Sequence, residues 1–237
     1  MTVLPKLDLI LERAEAPITE RVTKFGGQPV WMEGPAWPLA PATGEPMEFV
    51  AQVRLEPEVF GNQQETMAYL FVVDAVWSEG TWDPYSGESA VVIQPGDTPP
   101  VATVHRRAGP TLHRVYNERG GPEPAPPERC EFGVVSVPGS DPAAVDDETL
   151  RRWEADPWLE YQEKTAGALG TPRGIKVGGE PHFFRDWPEA FPPDRWRLLL
   201  QLDGDLPFFL NLGTDGIGYV LVRKDLRTGV YFWERPG

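Results

Sequence analysis

One cysteine and three histidines among 237 residues leave little material for several kinds of chemistry. The lone thiol, Cys130, excludes an internal disulfide framework and fits a reducing compartment. It has no local protease-type signature around it, so it reads as a buried thiol rather than a nucleophile. The histidines, His105, His113 and His182, are dispersed and give no zinc-ligand spacing. Long apolar runs are missing as well. Nothing approaches the roughly 20 consecutive apolar residues of a membrane helix, and the N-terminus lacks the basic start, apolar centre and cleavage site of a secretion signal. The expected location is the cytoplasm, with no membrane partner. Positive charge is also scarce. Twenty-two Lys and Arg face 36 Asp and Glu, and the net charge of −14 repels nucleic acid while attracting basic partners. Solubility alone is the competing explanation for that charge.

What the chain has in quantity is turn chemistry: 27 Pro and 24 Gly favour short strands and loops over long helices. It also has an internal echo. Lys24-Phe25-Gly26-Gly27-Gln28-Pro29-Val30-Trp31, Trp37-Pro38, Phe49-Val50-Ala51-Gln52-Val53 and Tyr69-Leu70-Phe71-Val72 form one series. Lys176-Val177-Gly178-Gly179-Glu180-Pro181-His182-Phe183, Trp187-Pro188, Leu198-Leu199-Leu200-Gln201-Leu202 and Tyr219-Val220-Leu221-Val222 form the second, in the same order. From the second glycine to the glutamine there are 25 and 22 steps, and from glutamine to tyrosine 17 and 18. The expected fold is α+β but predominantly β, internally duplicated. Two pseudo-symmetric halves at about 20–95 and 172–235 pack as one domain over 1–237, with a few peripheral helices and a helical connector at about 140–166.

Along the chain, Leu4, Leu7, Ile10 and Leu11 predict a short amphipathic helix ended by Pro17. Glu48–Leu55 alternates, with Phe49, Ala51, Val53 and Leu55 on one side of a half-buried strand. Tyr69–Val76 reads as a more central strand, and Ser89–Gln94, Val101–Val104, Val115 and Phe132–Val137 as further strands or edges. Gly120–Glu128 is too proline-rich for a ladder and reads as a spacer. Ser140-Asp141-Pro142 predicts a cap and first turn of the connector helix, running to about Ala155. In the second half Trp196–Leu202, Phe208–Leu210, Tyr219–Arg223 and Val230–Trp233 read as strands, the last pair as a hairpin.

Gly26, Gly27, Gly178 and Gly179 invite a phosphate-loop reading, but neither stretch has the Walker order or opens a helix. Structural corners are the better reading. Gln52 and Gln201 sit inside apolar strands and read as donors and acceptors for loop backbone rather than as a ligand pocket. Asp203, Asp205 and Asp215 offer oxygens that suit Ca²⁺, yet Asp-Gly-Asp lacks the other EF-hand positions and reads as a turn. Among nine tryptophans, Trp31, Trp37, Trp77, Trp82 and Trp187 lie in or beside loops, where flat rings either line a sugar-binding groove or staple loops to the sheet. Trp31, Trp37, Trp82 and Trp187 are the ligand-binding candidates. No Ser-His-Asp order, nucleophile elbow or carboxylate pair stands out. No catalytic, metal or cofactor residue is therefore assigned.

The stretch Lys24–Trp31, with Trp37-Pro38, Gly44-Glu45-Pro46-Met47 and Phe49–Val53, resembles the YwqG-like family of bacterial proteins. Leu198–Asp203 and Asp215-Gly216-Ile217-Gly218-Tyr219-Val220 resemble the same family's C-terminal portion. That family is a domain of unknown function and lends no catalytic residues. Its association with toxin-immunity gene neighbourhoods implies an immunity or antitoxin-like protein. The leading expectation is a noncatalytic binding protein whose acidic surface meets a basic partner, such as a toxin. A small-molecule or carbohydrate-binding module with a Trp-lined cleft is the alternative, and an unrecognised hydrolase the third.

Overall fold

Two long strands form the spine of the molecule, and the first is a segment expected to be helical. The computed structural model describes residues 3–75, 80–112, 130–142, 151–152, 155–156, 158–159, 173–184, 187–203 and 206–236. In it Val3–Arg13 is strand β1, paired along its whole length with the strand Glu131–Pro142. The helical spacing of Leu4, Leu7, Ile10 and Leu11 loses to an alternation within the same residues. Leu7, Leu9 and Leu11 face the core, while Lys6 and Asp8 face the other way and Ile10 is exposed. Pairing on both sides satisfies the backbone groups of a strand that carries Pro5.

The remaining strands follow in chain order as β2 (Lys24–Gly26), β3 (Trp37–Pro38), β4 (Glu48–Arg54), β5 (Met67–Val72), β6 (Ser89–Gln94), β7 (Thr103–Val104), β8 (Glu131–Pro142), β9 (Lys176–Gly178), β10 (Trp196–Asp203), β11 (Ile217–Arg223) and β12 (Gly229–Glu234). A short helix, α1 (Pro57–Phe60), and a 3-10 turn at Gly80–Trp82 interrupt them. Ten strands make a single antiparallel sheet in the order β12-β11-β10-β9-β1-β8-β2-β4-β5-β6, so both glycine-corner segments lie in one sheet. β3 and β7 pair separately over an outer face.

The sheet curls until its ends almost meet. Asp97 N–H donates to the Arg227 carbonyl at 2.9 Å, and the Ser89 hydroxyl reaches the Tyr231 carbonyl at 3.4 Å. A side chain on Gly229 would put its Cβ 2.5 Å from Val91 Cγ1, so the approach of β12 to β6 depends on that glycine. Curling creates an enclosed face, filled by Leu9, Phe25, Val53, Leu70, Ile93, Leu200, Val220 and Tyr231 among others. The two outer faces are covered by loops. Trp37, Met47 and Phe71 lie under residues 31–36 on one side, and Phe183, Phe191, Tyr219 and Phe232 pack together on the other. Full burial of each such side chain stabilises by about 1.5–3 kcal/mol.

The alternation expected for Glu48–Leu55 is broken once. A bulge between Phe49 and Ala51 sends Phe49 outward and Ala51, Val53 and Leu55 inward. An equivalent irregularity lies between Leu198 and Leu200. Phe208–Leu210 is not a strand; it is buried loop, with Phe208 stacked 5.6 Å from Phe25. In the reverse direction α1 carries Val59 onto Gly178, and Arg197 caps that helix by donating to the Val59 and Phe60 carbonyls. Ser140-Asp141-Pro142 does not cap a helix either. It ends β8, because Asp141 is required beside two lysines in the sheet. Within the expected connector 140–142 are strand, 151, 152, 155, 158 and 159 are helical and 156 is not; its other residues, the proline-rich spacer, Val76, Trp77, His113, Val115 and Asp205 lie outside the described residues. Helix is thus scarcer among the described residues than expected.

Burial pushes the phenols of Tyr69, Tyr219 and Tyr231 well above their ordinary range. A raised folded-state value means that the unfolded chain ionises first, so this stability is intact below about pH 10 and drains away above it. Urea midpoints should therefore fall between pH 8 and about pH 10.5, with tyrosinate absorbance appearing as the fold is lost. Tyr231 also has a buried hydroxyl without a hydrogen-bond partner among the described residues. Tyr231→Phe should raise stability by about 1 kcal/mol in the same measurement.

Candidate functional site

Each Gly-Gly corner is shaped by a carboxylate buried against it. Gly26 and Gly27 have φ of 64° and 66°, and Gly178 and Gly179 have 73° and 74°, a left-handed turn that side chains strain to adopt. Gly27 N–H donates to the Cys130 carbonyl and Gly179 N–H to the Pro5 carbonyl, both at 3.0 Å. A Cβ on Gly27 would lie 2.3 Å from the Glu131 carboxyl carbon, and one on Gly179 would lie 2.4 Å from Asp141 Oδ2. Glycine is required at the second position of each pair because a carboxylate occupies the space.

The carboxylates are there to meet the lysine two or three residues earlier. Lys24 Nζ lies 2.8 Å from Glu131 Oε1 and donates to the Ile18 carbonyl, while Ile18 N–H donates back to the same carboxylate. Lys176 Nζ lies 2.6 Å from Asp141 Oδ2 and donates to the Glu180 carbonyl, while Glu180 N–H donates to Asp141. At the second corner Asp141 also meets Lys6. Lys6 bonds Asp141 Oδ1 at 3.1 Å and the half-exposed Asp8 at 3.0 Å. Burial pulls the Lys176 ammonium below its ordinary range, outweighing Asp141. Burial acts on Lys6 in the same sense, but its bonds to Asp8 and Asp141 outweigh it and hold that ammonium above the ordinary range.

The two glutamines clamp the loops that leave these corners. Gln52 accepts from Val30 N–H at 2.8 Å and donates to the Val22 carbonyl at 2.7 Å; Gln201 accepts from His182 N–H at 2.8 Å and donates to the Gly174 carbonyl at 3.1 Å. Tyr69 and Tyr219, directly across the ladder from them, donate their hydroxyls to the carbonyls of Val30 and His182. These four side chains are occupied in holding backbone.

The candidate tryptophans separate by environment. Trp37 is fully buried and donates to the Met47 carbonyl at 2.8 Å. Trp31 stacks on Phe71, meets Trp37 edge-on and Tyr69 at a tilt, and lines a cavity of about 650 Å³ with Gln28 and Cys130. Burial pushes the Cys130 thiol up to about 11, against thiolate chemistry. Trp187 donates to Glu180 Oε1 at 2.9 Å and lines a cavity of about 260 Å³. Burial lifts the Glu180 carboxyl above its usual range. Asp203 is held by Arg173 through two contacts, at 2.7 and 3.1 Å, and Asp215 turns the chain at φ 55°.

Only Trp82 of the four presents its ring to solvent, at 62% exposure, and it opens onto the largest of these cavities, about 810 Å³. Tyr85, Phe191, Trp233, Asp83, Glu234 and Arg235 complete that cavity's working surface. The loop from Gly80 to Glu88 supplies Trp82, Asp83 and Tyr85. Asp83 Oδ1 accepts the Tyr85 N–H at 2.9 Å, and the buried Thr81 hydroxyl takes the indole N–H of Trp233 at 3.0 Å. β12 supplies Trp233 and Glu234, and the loop after Trp187 supplies Phe191, whose ring stacks 5.9 Å from Tyr85. Of these lining residues the sequence singled out Trp82 alone as a ligand-binding candidate. Their partners are about 100 to 150 residues apart, and only the approach of β12 to β6 brings them together.

Removing one partner from a buried charge set leaves the other uncompensated, which costs about 3–5 kcal/mol. Asp141→Asn should show a loss of that size in urea unfolding, since it strands Lys6 and Lys176 together. Asp8→Asn, at a half-exposed site, should cost less than about 1 kcal/mol.

No curated protein matches the chain. The family model described as Domain of unknown function (DUF1963) matches residues 23–229, from the start of the first glycine corner to the final hairpin, and the chain belongs to that family.

Proposed function

We propose that the protein is a noncatalytic binding protein, built from two copies of one five-stranded unit, whose ligand enters the aromatic cavity where the outer strands of the two units meet. The duplication is supported by the matched bulges before Gln52 and Gln201 and by the repeated Gln, Tyr and Gly-Gly hydrogen bonds. The strand order supports it too, since β8-β2-β4-β5-β6 and β1-β9-β10-β11-β12 run outward from the same central pair. The binding reading rests on one observation. A cavity of about 810 Å³ carries two rings, Trp82 and Tyr85, that are 62% and 71% exposed, on a loop whose backbone and neighbours are already hydrogen-bonded. Exposed rings on a pre-formed concave surface are the usual makings of a ligand site.

The YwqG-like resemblance and the net charge of −14 favour a basic protein as the partner, in an immunity-like role in the cytoplasm. A carbohydrate ligand is the second reading, favoured by the flat rings alone.

Intrinsic tryptophan fluorescence of the whole chain tests the binding reading against a library of peptides, sugars and metabolites. A ligand of this cavity should change the emission, and Trp82→Ala should remove most of that change and weaken binding about tenfold. Silence across the library, together with unaltered partner capture by Trp82→Ala, would sink it.

A further inference from the structure

We propose that the group received by the Trp82–Trp233 cavity is an arginine or lysine side chain of a basic protein segment; this rests on the binding reading above and names its ligand class. The cavity combines three features that favour a cation. Its lining carries aromatic rings, two of them, Trp82 and Tyr85, largely exposed. Tyr85 lies nearly parallel to Phe191, with 29° between the planes, and is 71% exposed. The indole of Trp233 is packed on Gly213, where a Cβ would come 2.8 Å from the ring, and its N–H is held by the Thr81 hydroxyl, so the ring's face is already fixed. A cation over such a face gains about 0.5–2 kcal/mol, more as water is excluded.

The described lining also carries two carboxylates, Asp83 and Glu234, against one cation, Arg235. Glu234 is fixed by the Phe184 N–H at 3.2 Å, and Asp83 by the Tyr85 N–H at 2.9 Å, so neither has to be ordered by the ligand. Pre-fixed acceptors around a planar donor fork suit guanidinium best, and ammonium next. The third feature is the field of the whole chain. At −14 it concentrates cations near the cavity and turns away carboxylates and phosphates. A neutral sugar gains nothing from that field, and an anion loses.

Arg235 makes the inference specific. It is exposed at the cavity rim and repels any cationic ligand. Its removal should therefore tighten a basic ligand, whereas it would leave a sugar unchanged or weaken an anion.

The test titrates the full-length protein with three probes at low salt, followed by tryptophan fluorescence. They are a ten-residue alternating Arg-Gly peptide, the corresponding Glu-Gly peptide, and a neutral oligosaccharide, cellohexaose. The Arg-Gly peptide should saturate and weaken steeply as salt is raised. Arg235→Ala should tighten it severalfold, and Trp82→Ala with Tyr85→Ala should weaken it about tenfold or more. Near-native circular dichroism of each variant separates loss of binding from loss of fold. Saturation by cellohexaose but not by the Arg-Gly peptide overturns the cationic class and leaves the cavity standing as a site. Arg-Gly binding that is equal in wild type and in the Trp82/Tyr85 variant removes the cavity and leaves an acidic binder. A failure of all three probes overturns the cationic class, and the wider library screen then decides the binding reading.

Discussion

The arrangement of this protein depends on where it puts two carboxylates. Glu131 and Asp141 are both almost fully buried in β8, one near its start and one near its end, and each is pressed into the space that a glycine leaves in the corner beside it. A buried ionised carboxyl is costly unless its oxygens are met by charge and by hydrogen bonds. Here each is met by a lysine and by a backbone N–H of the nearby loop. The clasp therefore fixes the corner's left-handed backbone, the lysine's position on β2 or β9, and the direction in which the loop leaves. The glutamine and tyrosine clamps then carry those loops across the outer faces and bury Trp37 on one side and Phe183 on the other.

The two clasps are not chemically identical. At the first corner Glu131 meets Lys24; at the second, Lys6 joins from β1 and Asp141 meets two ammoniums, with Asp8 sharing one of them. The acid of the second corner reaches across from β8 rather than coming from the strand paired with β9. That cross-over ties β1, β8 and β9 by charge as well as by ladder, at the place where the sheet passes from one segment to the other. The reciprocal plugs do the same with apolar groups. Val59 lies on Gly178, and Phe208 lies on Phe25 and Phe132. The ends of the sheet, by contrast, are joined by few bonds. The cavity lies beside that junction, between β12 and the loop that leads into β6.

Much of the strand content was legible. β4, β5, β6, β10, β11 and β12 fall where β-branched and aromatic runs predict them, because half-buried strands select those residues directly. The glycine corners were legible as corners from composition and spacing alone. Besides Phe208–Leu210, an apolar run that is buried loop, two failures share one cause. Leu4, Leu7, Ile10 and Leu11 satisfy a helical spacing while Leu7, Leu9 and Leu11 satisfy a strand's, and a sequence offers no way to choose before β8 and β9 are known to flank the segment. Ser140-Asp141-Pro142 satisfies the rules for a helix cap, yet Asp141 is held in a strand by lysines 35 and 135 residues away. Long-range charge outweighed a local preference worth about 1 kcal/mol.

The sequence by itself determined the acidity, the β-rich character, the recurring Lys, Gly-Gly, Gln and Tyr positions, and the shortage of groups for nucleophilic or zinc chemistry, because composition and spacing are properties of a chain read alone. Tertiary structure alone decided what those positions do. It turned Gln52, Gln201, Tyr69 and Tyr219 into backbone clamps, buried Trp37, and left Trp82 facing solvent across a cavity from Trp233. The physical reason is that burial and proximity are set by which strands become neighbours. In this sheet that was decided by two buried carboxylates and by the near-meeting of strands almost 140 residues apart.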